Sequence, residues 1–177
     1  MVAGFLLSLA ILIAAERIFE LWLAARNRAA VLARGGQESG QAHYRWVVLL
    51  HSGWFLAWLV EAFARGPQLQ RLWAFWLVLF VLAEILRYCC INTLGVHWNT
   101  RILVIPGGRL VRSGPYRFLR HPNYLAVAVD LLTVPMIFNA WVTATVFTVL
   151  NLIFLLFVRI PAEEEAMKKA RDTGVQK

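Results

Sequence analysis

Five apolar runs separated by polar connections constrain this 177-residue chain more than any other feature. A hydrocarbon layer about 30 Å thick takes about 20 helical residues to cross, and residues 2–25, 44–64 and 69–91 each supply that length. Residues 125–138 and 141–158 form the last two runs, joined only by Asn139 and Ala140. Lipid offers no water to backbone N–H and C=O groups, so spans of this kind close their hydrogen bonds internally as helices. A hydrophobic content of 60% and a mean hydropathy of +0.61 exceed what a soluble domain needs for its core. The expected fold is therefore an all-α integral membrane protein of about five transmembrane helices. The fourth run is short and must tilt or begin within the interface. Asp130 and Pro135 inside it favour a position facing protein over one facing lipid.

The connections carry the charge. Residues 26–45 hold Arg26, Arg28, Arg34 and Arg45 around Gly35, Gly36 and Gly40, and read as a loop with helical ends at most. Residues 65–68 form a tight turn. The longest polar segment, residues 92–123, contains an extended piece at 100–105 and a Pro106-Gly107-Gly108 turn. With Arg87 at the end of the third run and the tail from Arg159, these segments place fifteen Lys and Arg on one side of a five-span bundle, against Arg65 and Arg71 on the other. The positive-inside bias puts the N-terminus outside and residues 92–123 and the tail in the cytoplasm of a multi-pass inner-membrane protein. The first run lacks a basic segment ahead of it and is expected to be a retained span. This topology, and not nucleic-acid binding, accounts for the net charge of +8. The expected organisation is a three-span region at 1–91 followed by a functional region at 92–177, in one membrane domain.

Residues 112–124 (RSGPYRFLRHPNY) gather Arg112, Arg117, Arg120 and His121 just before the fourth run. Gly114 and Pro115 predict a turn. Pro122 disfavours helix at His121 but suits the first turn of one, so a helix should begin at Pro122 or Asn123. The helix start would present free N–H groups to an anion; Arg and Tyr at such a boundary also serve as plain lipid-headgroup anchors. On the same side the tail (RIPAEEEAMKKAR) predicts an amphipathic helix, with Arg159 and Glu163 one turn apart and near His121 and Tyr124. Within the spans, Glu84 and Arg87 have ion-pair spacing, while Glu16, Arg17, Glu20 and Asp130 are either structural or on a substrate path. Cys89 and Cys90 read as reduced packing residues. The four histidines lack the spacing of a metal site.

The order GPYRxxRHPNY, helical hairpin, RxxxEE resembles the isoprenylcysteine carboxyl methyltransferase family, specifically over about residues 92–165 and only in topology before that. The resemblance implies S-adenosyl-L-methionine as cofactor, held by the cytoplasmic segment and the C-terminal helix. Carried over residue by residue, it implies Gly108, Arg109, Leu110, Val111, Tyr116, His121, Pro122, Asn123, Tyr124 and Glu163 for the cofactor. It implies Arg159 for the substrate, and Arg101 falls where eukaryotic relatives place a polar cofactor contact.

The segment NTLGVHWNTRILVIPG is similar to a bacterial branch that accompanies type III polyketide synthases and O-methylates long-chain alkylpyrones or alkylresorcinols. It implies a lipophilic small-molecule substrate arriving from the bilayer, with membrane lipids as the other partner. Methyl transfer to an acidic hydroxyl relies on positioning and needs little general-base help. Carboxyl methylation of isoprenylcysteine is the alternative within the family. Membrane sterol and enone reductases share an RHPNY signature and bind NADPH, but usually continue differently after the Tyr. A lipid-binding scaffold, the third class, has no need of the 112–124 segment together with Arg159 and Glu163.

Overall fold

The computed structural model describes residues 1–108 and 111–175, with side chains to residue 172. Its helices are α1 (Val2–Ala33), α2 (Gln41–Ala64), α3 (Trp73–Leu94), α4 (Pro122–Ile137), α5 (Trp141–Phe154) and α6 (Ile160–Val175). A π-helical turn, Leu155–Arg159, joins α5 to α6 without a break. Among the described residues, four helical stretches are long and apolar enough to cross a membrane: Val2–Ala33, Gln41–Ala64, Trp73–His97 and Trp141–Asp172. The chain is an all-α integral membrane protein. The remaining apolar helix, α4, has 16 residues, about 24 Å at 1.5 Å per residue, and falls short of the layer by itself.

Pro122, Pro135 and Pro161 each shape an α-helix through the amide hydrogen that proline lacks. Pro122 occupies the first turn of α4 with His121 as N-cap, the boundary that the sequence predicts. Pro135 leaves the Leu131 carbonyl without an i+4 donor; the Trp54 indole N–H donates to that oxygen at 3.0 Å, fastening α2 to α4. Pro161 likewise cannot serve the Phe157 carbonyl, and the helix widens into π geometry immediately before it. Asn139, at φ 59°, then turns the chain from α4 into α5. At that end the Glu61 carboxylate accepts hydrogen bonds from the backbone N–H groups of Val142 (3.1 Å) and Thr143 (2.7 Å), capping α5 from α2. The apolar core, which includes Leu6, Ile13, Trp58, Phe80, Val134 and Phe138, lies toward the same end, where Trp58 stacks on Phe138 at 5.7 Å.

Three features depart from the sequence reading. Residues 26–33, expected to open a loop, continue α1 to Ala33. Buried Asn27 explains this, since its amide donates to the carbonyls of Trp98 (2.8 Å) and Gly95 (3.2 Å), tying the helix extension to the end of α3. Within the same loop, β1 (Gln37–Ser39) pairs antiparallel with β2 (Ile102–Val104), Glu38 opposite Leu103. The Glu38 carboxylate, whose side chain is 4% exposed, receives Arg28 at 2.8 Å and Arg101 at 2.6 Å. Arg101 in turn lies over the Tyr44 ring, 3.8 Å from its centroid. The third span starts at Trp73, four residues later than the apolar run at 69.

Inside the bundle, α1, α3 and α4 are joined by ion pairs. Arg87, 2% exposed, is bound to Asp130 and lies 3.2 Å from Glu20. Arg17 reaches Glu20 at 2.7 Å and Glu84 at 3.3 Å. Asp130→Ala would strand a buried guanidinium, and breaking such a pair costs about 3–5 kcal/mol. Thermal unfolding of the purified variant in detergent should show a large drop in midpoint, and a midpoint unchanged from the parent would contradict this role.

Burial alone would raise the Glu38 carboxyl, but hydrogen bonds from Arg101 and Arg28 outweigh it and hold the group below the ordinary glutamate range. A depressed folded value stabilises the fold above the unfolded pKa and ceases to do so as pH falls through the folded one. Protease cleavage of the 34–40 connection should therefore rise on acidification below the glutamate range, and Glu38→Gln should show that higher susceptibility already at neutral pH.

Candidate functional site

Two cavities meet at one wall. The larger, about 510 Å³, lies between α1, α2, α4 and α5 and is lined mostly by apolar side chains such as Ile13, Val48, Phe55, Val127 and Phe154. The smaller, about 110 Å³, lies between the segment after α3, the start of α4 and α6. Trp98, Asn99, Asn123, Tyr124 and Arg159 line both.

Arg159 is the charged centre of that wall. It sits in the π turn and is 5% exposed. Its Nη2 donates to the Thr100 carbonyl at 2.6 Å, and Nε donates to the Tyr124 hydroxyl at 3.3 Å. Nη1 is buried without a hydrogen-bond partner among the described residues. The Tyr124 hydroxyl donates to Glu163, so one phenol links the two tail residues that the sequence spaced one turn apart. Thr100 is positioned from the other side, its hydroxyl 3.2 Å from that of Tyr44, whose ring carries Arg101. Beside it Asn99 donates to the Ala24 carbonyl at 2.7 Å, anchoring the wall to α1.

The smaller cavity has aromatic and acidic sides. His121 and Tyr124 stack with centroids 5.4 Å apart and planes 13° from parallel. His121 Nδ1 lies 4.0 Å from Glu163, and Nε2 lies 3.7 Å from Glu164. Tyr116 enters from a short turn, Gly114–Arg117, in which Gly114 takes φ 53°. A side chain at 114 would also run into Thr93, so glycine lets the turn press against α3. Burial, together with the neighbouring Cys90 thiol, pushes the Tyr116 phenol well above its ordinary value, leaving it a neutral hydrogen-bonding group.

Of the residues marked from the sequence, Arg101, Tyr116, His121, Asn123, Tyr124, Arg159 and Glu163 converge on the smaller cavity. Arg101 does so with its guanidinium already engaged by Glu38. Pro122 is buried as the first residue of α4 and shapes the helix start. Gly108 is exposed, Val111 is half-buried, and neither lines this cavity. Arg109 and Leu110 lie outside the described residues. Trp98, Asn99 and Thr100 join the wall with no role assigned from the sequence. Their signal was local: two polar residues and a Trp directly after a span, where an ordinary interface explains them equally well. Tyr44 and Glu38 reach the site only through long-range contacts.

The model of the isoprenylcysteine carboxyl methyltransferase (ICMT) family matches residues 76–169, from α3 to α6. The chain is 36% identical to the uncharacterized protein YpbQ of Bacillus subtilis (strain 168), over 93% of its own length and 97% of the relative's. It is 27% identical to an uncharacterized protein of Haemophilus influenzae, over 88% of its own length and 90% of the relative's. No solved structure matches it. The matched region holds the whole wall from Trp98 to Glu163, and the chain belongs to the isoprenylcysteine carboxyl methyltransferase family of membrane methyltransferases.

Proposed function

We propose that this membrane methyltransferase binds S-adenosylmethionine at the smaller cavity, which at about 110 Å³ would take one part of the molecule, and O-methylates a lipid lodged in the larger one, a long-chain alkylpyrone or alkylresorcinol. The observation that carries the reading is the shared wall, because a guanidinium with an unpartnered, buried Nη1 stands where an apolar cavity meets a polar one. The donor set fits the cofactor. Glu163 offers a carboxylate to an ammonium or ribose hydroxyl, Asn123 offers an amide, and the aromatic faces of Tyr116, His121 and Tyr124 suit a sulfonium. When bound, S-adenosylmethionine supplies a methyl group on a sulfonium, an electrophile that takes an electron pair from a substrate oxygen as the carbon–sulfur bond breaks.

The chain's own residues then have three tasks. Arg159 orients an anionic oxygen through its free Nη1, while Nε and Nη2 keep the fork in place. Tyr124 and Glu163 couple that orientation to the cofactor side. Leu131, Phe55, Val127 and Phe154 keep water from the fatty chain and from the transfer itself. The enol of a 4-hydroxy-2-pyrone is already ionised at neutral pH and needs no general base, whereas a resorcinol hydroxyl, a phenol of pKa about 10, gives its proton to water as Arg159 pairs with the phenolate oxygen. We place this site at the cytoplasmic face of the cell membrane, on the charge distribution of the connections. The carboxylate of a prenylated cysteine would also pair with Arg159, which makes it the competing substrate.

Glu163→Gln and His121→Ala should each weaken equilibrium binding of labelled S-adenosylmethionine by about 1–3 kcal/mol, the cost of a lost buried hydrogen-bond partner. Wild-type affinity in both folded variants would reject the smaller cavity as the cofactor site. Arg159→Lys keeps the charge but loses the fork, and should reduce turnover much more than cofactor affinity. Offered a long-chain 4-hydroxy-2-pyrone, an alkylresorcinol and a farnesylated cysteine in detergent, the enzyme should methylate one or both of the first two. Methylation of the prenylcysteine alone would overturn the substrate while leaving methyl transfer intact.

A further inference from the structure

The ten residues that lead into α4, 112–121, face two ways. Tyr116 and His121 line the smaller cavity, whereas Arg112, Arg117, Phe118, Leu119 and Arg120 are exposed. Phe118 is 81% exposed, the most open aromatic side chain among the described residues, and Leu119 beside it is 43% exposed. The Arg117 guanidinium sits 5.7 Å from the Phe118 ring centroid. The turn is pressed against the last turns of α3, through Gly114 at Thr93 and Tyr116 at Cys90, so it lies level with the end of a membrane span. No Asp or Glu occurs between Glu84 and Asp130. Arg112, Arg117 and Arg120 form no ion pair among the described residues, and such a cationic surface with a bare Phe and Leu, at the depth where hydrocarbon meets headgroups, has the composition of an interfacial anchor.

We propose that this face docks on anionic phospholipid headgroups and that the docking sets the cofactor site behind it. Arg112, Arg117 and Arg120 bind lipid phosphates, to which the guanidinium fork is matched, while Phe118 and Leu119 sink to the acyl boundary. The turn is bounded by backbone bonds from Tyr116 N–H to Ser113 O and from the N–H groups of Phe118 and Leu119 to Pro115 O, each at 3.1 Å. Its inner side rests on α3, and its outer side, with Arg117, Phe118, Leu119 and Arg120 exposed, is left for the membrane surface to support. Lipid that fixes Arg117, Phe118 and Arg120 also fixes Tyr116 and His121, their chain neighbours, so cofactor affinity rises with the negative charge of the bilayer.

Only the cofactor arm of this proposal rests on the proposed function, and the test separates the two. The full chain is placed in nanodiscs of phosphatidylcholine, or of phosphatidylcholine mixed with phosphatidylglycerol. Phe118→Cys carries a nitroxide in a chain with Cys89→Ala, Cys90 being buried and left in place. Without cofactor, the nitroxide should be shielded from a water-soluble relaxation agent in the anionic discs and accessible in the neutral ones. S-adenosylmethionine, measured on the unlabelled chain, should bind several-fold more tightly in the anionic discs. Arg112→Gln, Arg117→Gln and Arg120→Gln together should erase both differences, and high salt should weaken both. A nitroxide equally accessible in the two lipids, or a triple variant that responds like the parent, would overturn the proposal. A shielded nitroxide with no cofactor binding in any disc would leave the lipid surface standing and overturn the cofactor reading.

Discussion

A guanidinium in a hydrocarbon layer must be paired or removed, and Arg87 is paired from two other helices at once. Asp130 of α4 and Glu20 of α1 meet it, and Arg17 extends the same network to Glu84. This fixes where three helices stand relative to one another in a medium where apolar packing offers little preference between neighbours. It also fixes the depth of α4, which is too short to be placed by its length. Because Tyr124 lies six residues before Asp130 on the same helix, about 9 Å along its axis, the network holds the phenol that links Arg159 to Glu163.

The wall is assembled from segments that the membrane would otherwise keep apart. Trp98 to Thr100 arrive after α3 and are tied to α1 by Asn27 and Asn99. Tyr124 begins α4, and Arg159 ends the π turn. Pro161 contributes by forcing the helix to widen next to Arg159, which turns a continuous 32-residue helical stretch into one with a special position at the boundary. The outcome is a cation whose two satisfied nitrogens fix its orientation and whose third remains available.

What the sequence made legible was local chemistry. The start of α4 at Pro122, the turn at Gly114, the extended piece that contains β2 and the one-turn spacing of Arg159 and Glu163 each follow from a few neighbouring residues, and the structure has all four. Apolar run length likewise set the helical spans, to within a few residues at their ends except at the C-terminal end of α1. Long-range pairing was not legible. Asn27 gave no sign that it would cap the far end of α3, so α1 was expected to stop eight residues early. Glu38 lies in a Gly-rich connection that reads as loop, and only the fold brings Arg101, 63 residues away, onto it. The intramembrane acids and bases were visible as exceptions, yet which would pair with which depended on the packing of α3 against α4.

The central claim is that the cavity beside Glu163 is an S-adenosylmethionine site separated from a lipid cavity by Arg159 and Tyr124. The most direct measurement is a structure of the lipid-embedded protein with S-adenosylhomocysteine added. The account predicts density for the nucleoside and amino-acid parts on the His121, Asn123 and Glu163 side of the wall, with any acyl density confined to the other side. Density for the nucleoside in the larger cavity, or a smaller cavity that stays empty at saturating ligand while NADPH fills it, would contradict the account.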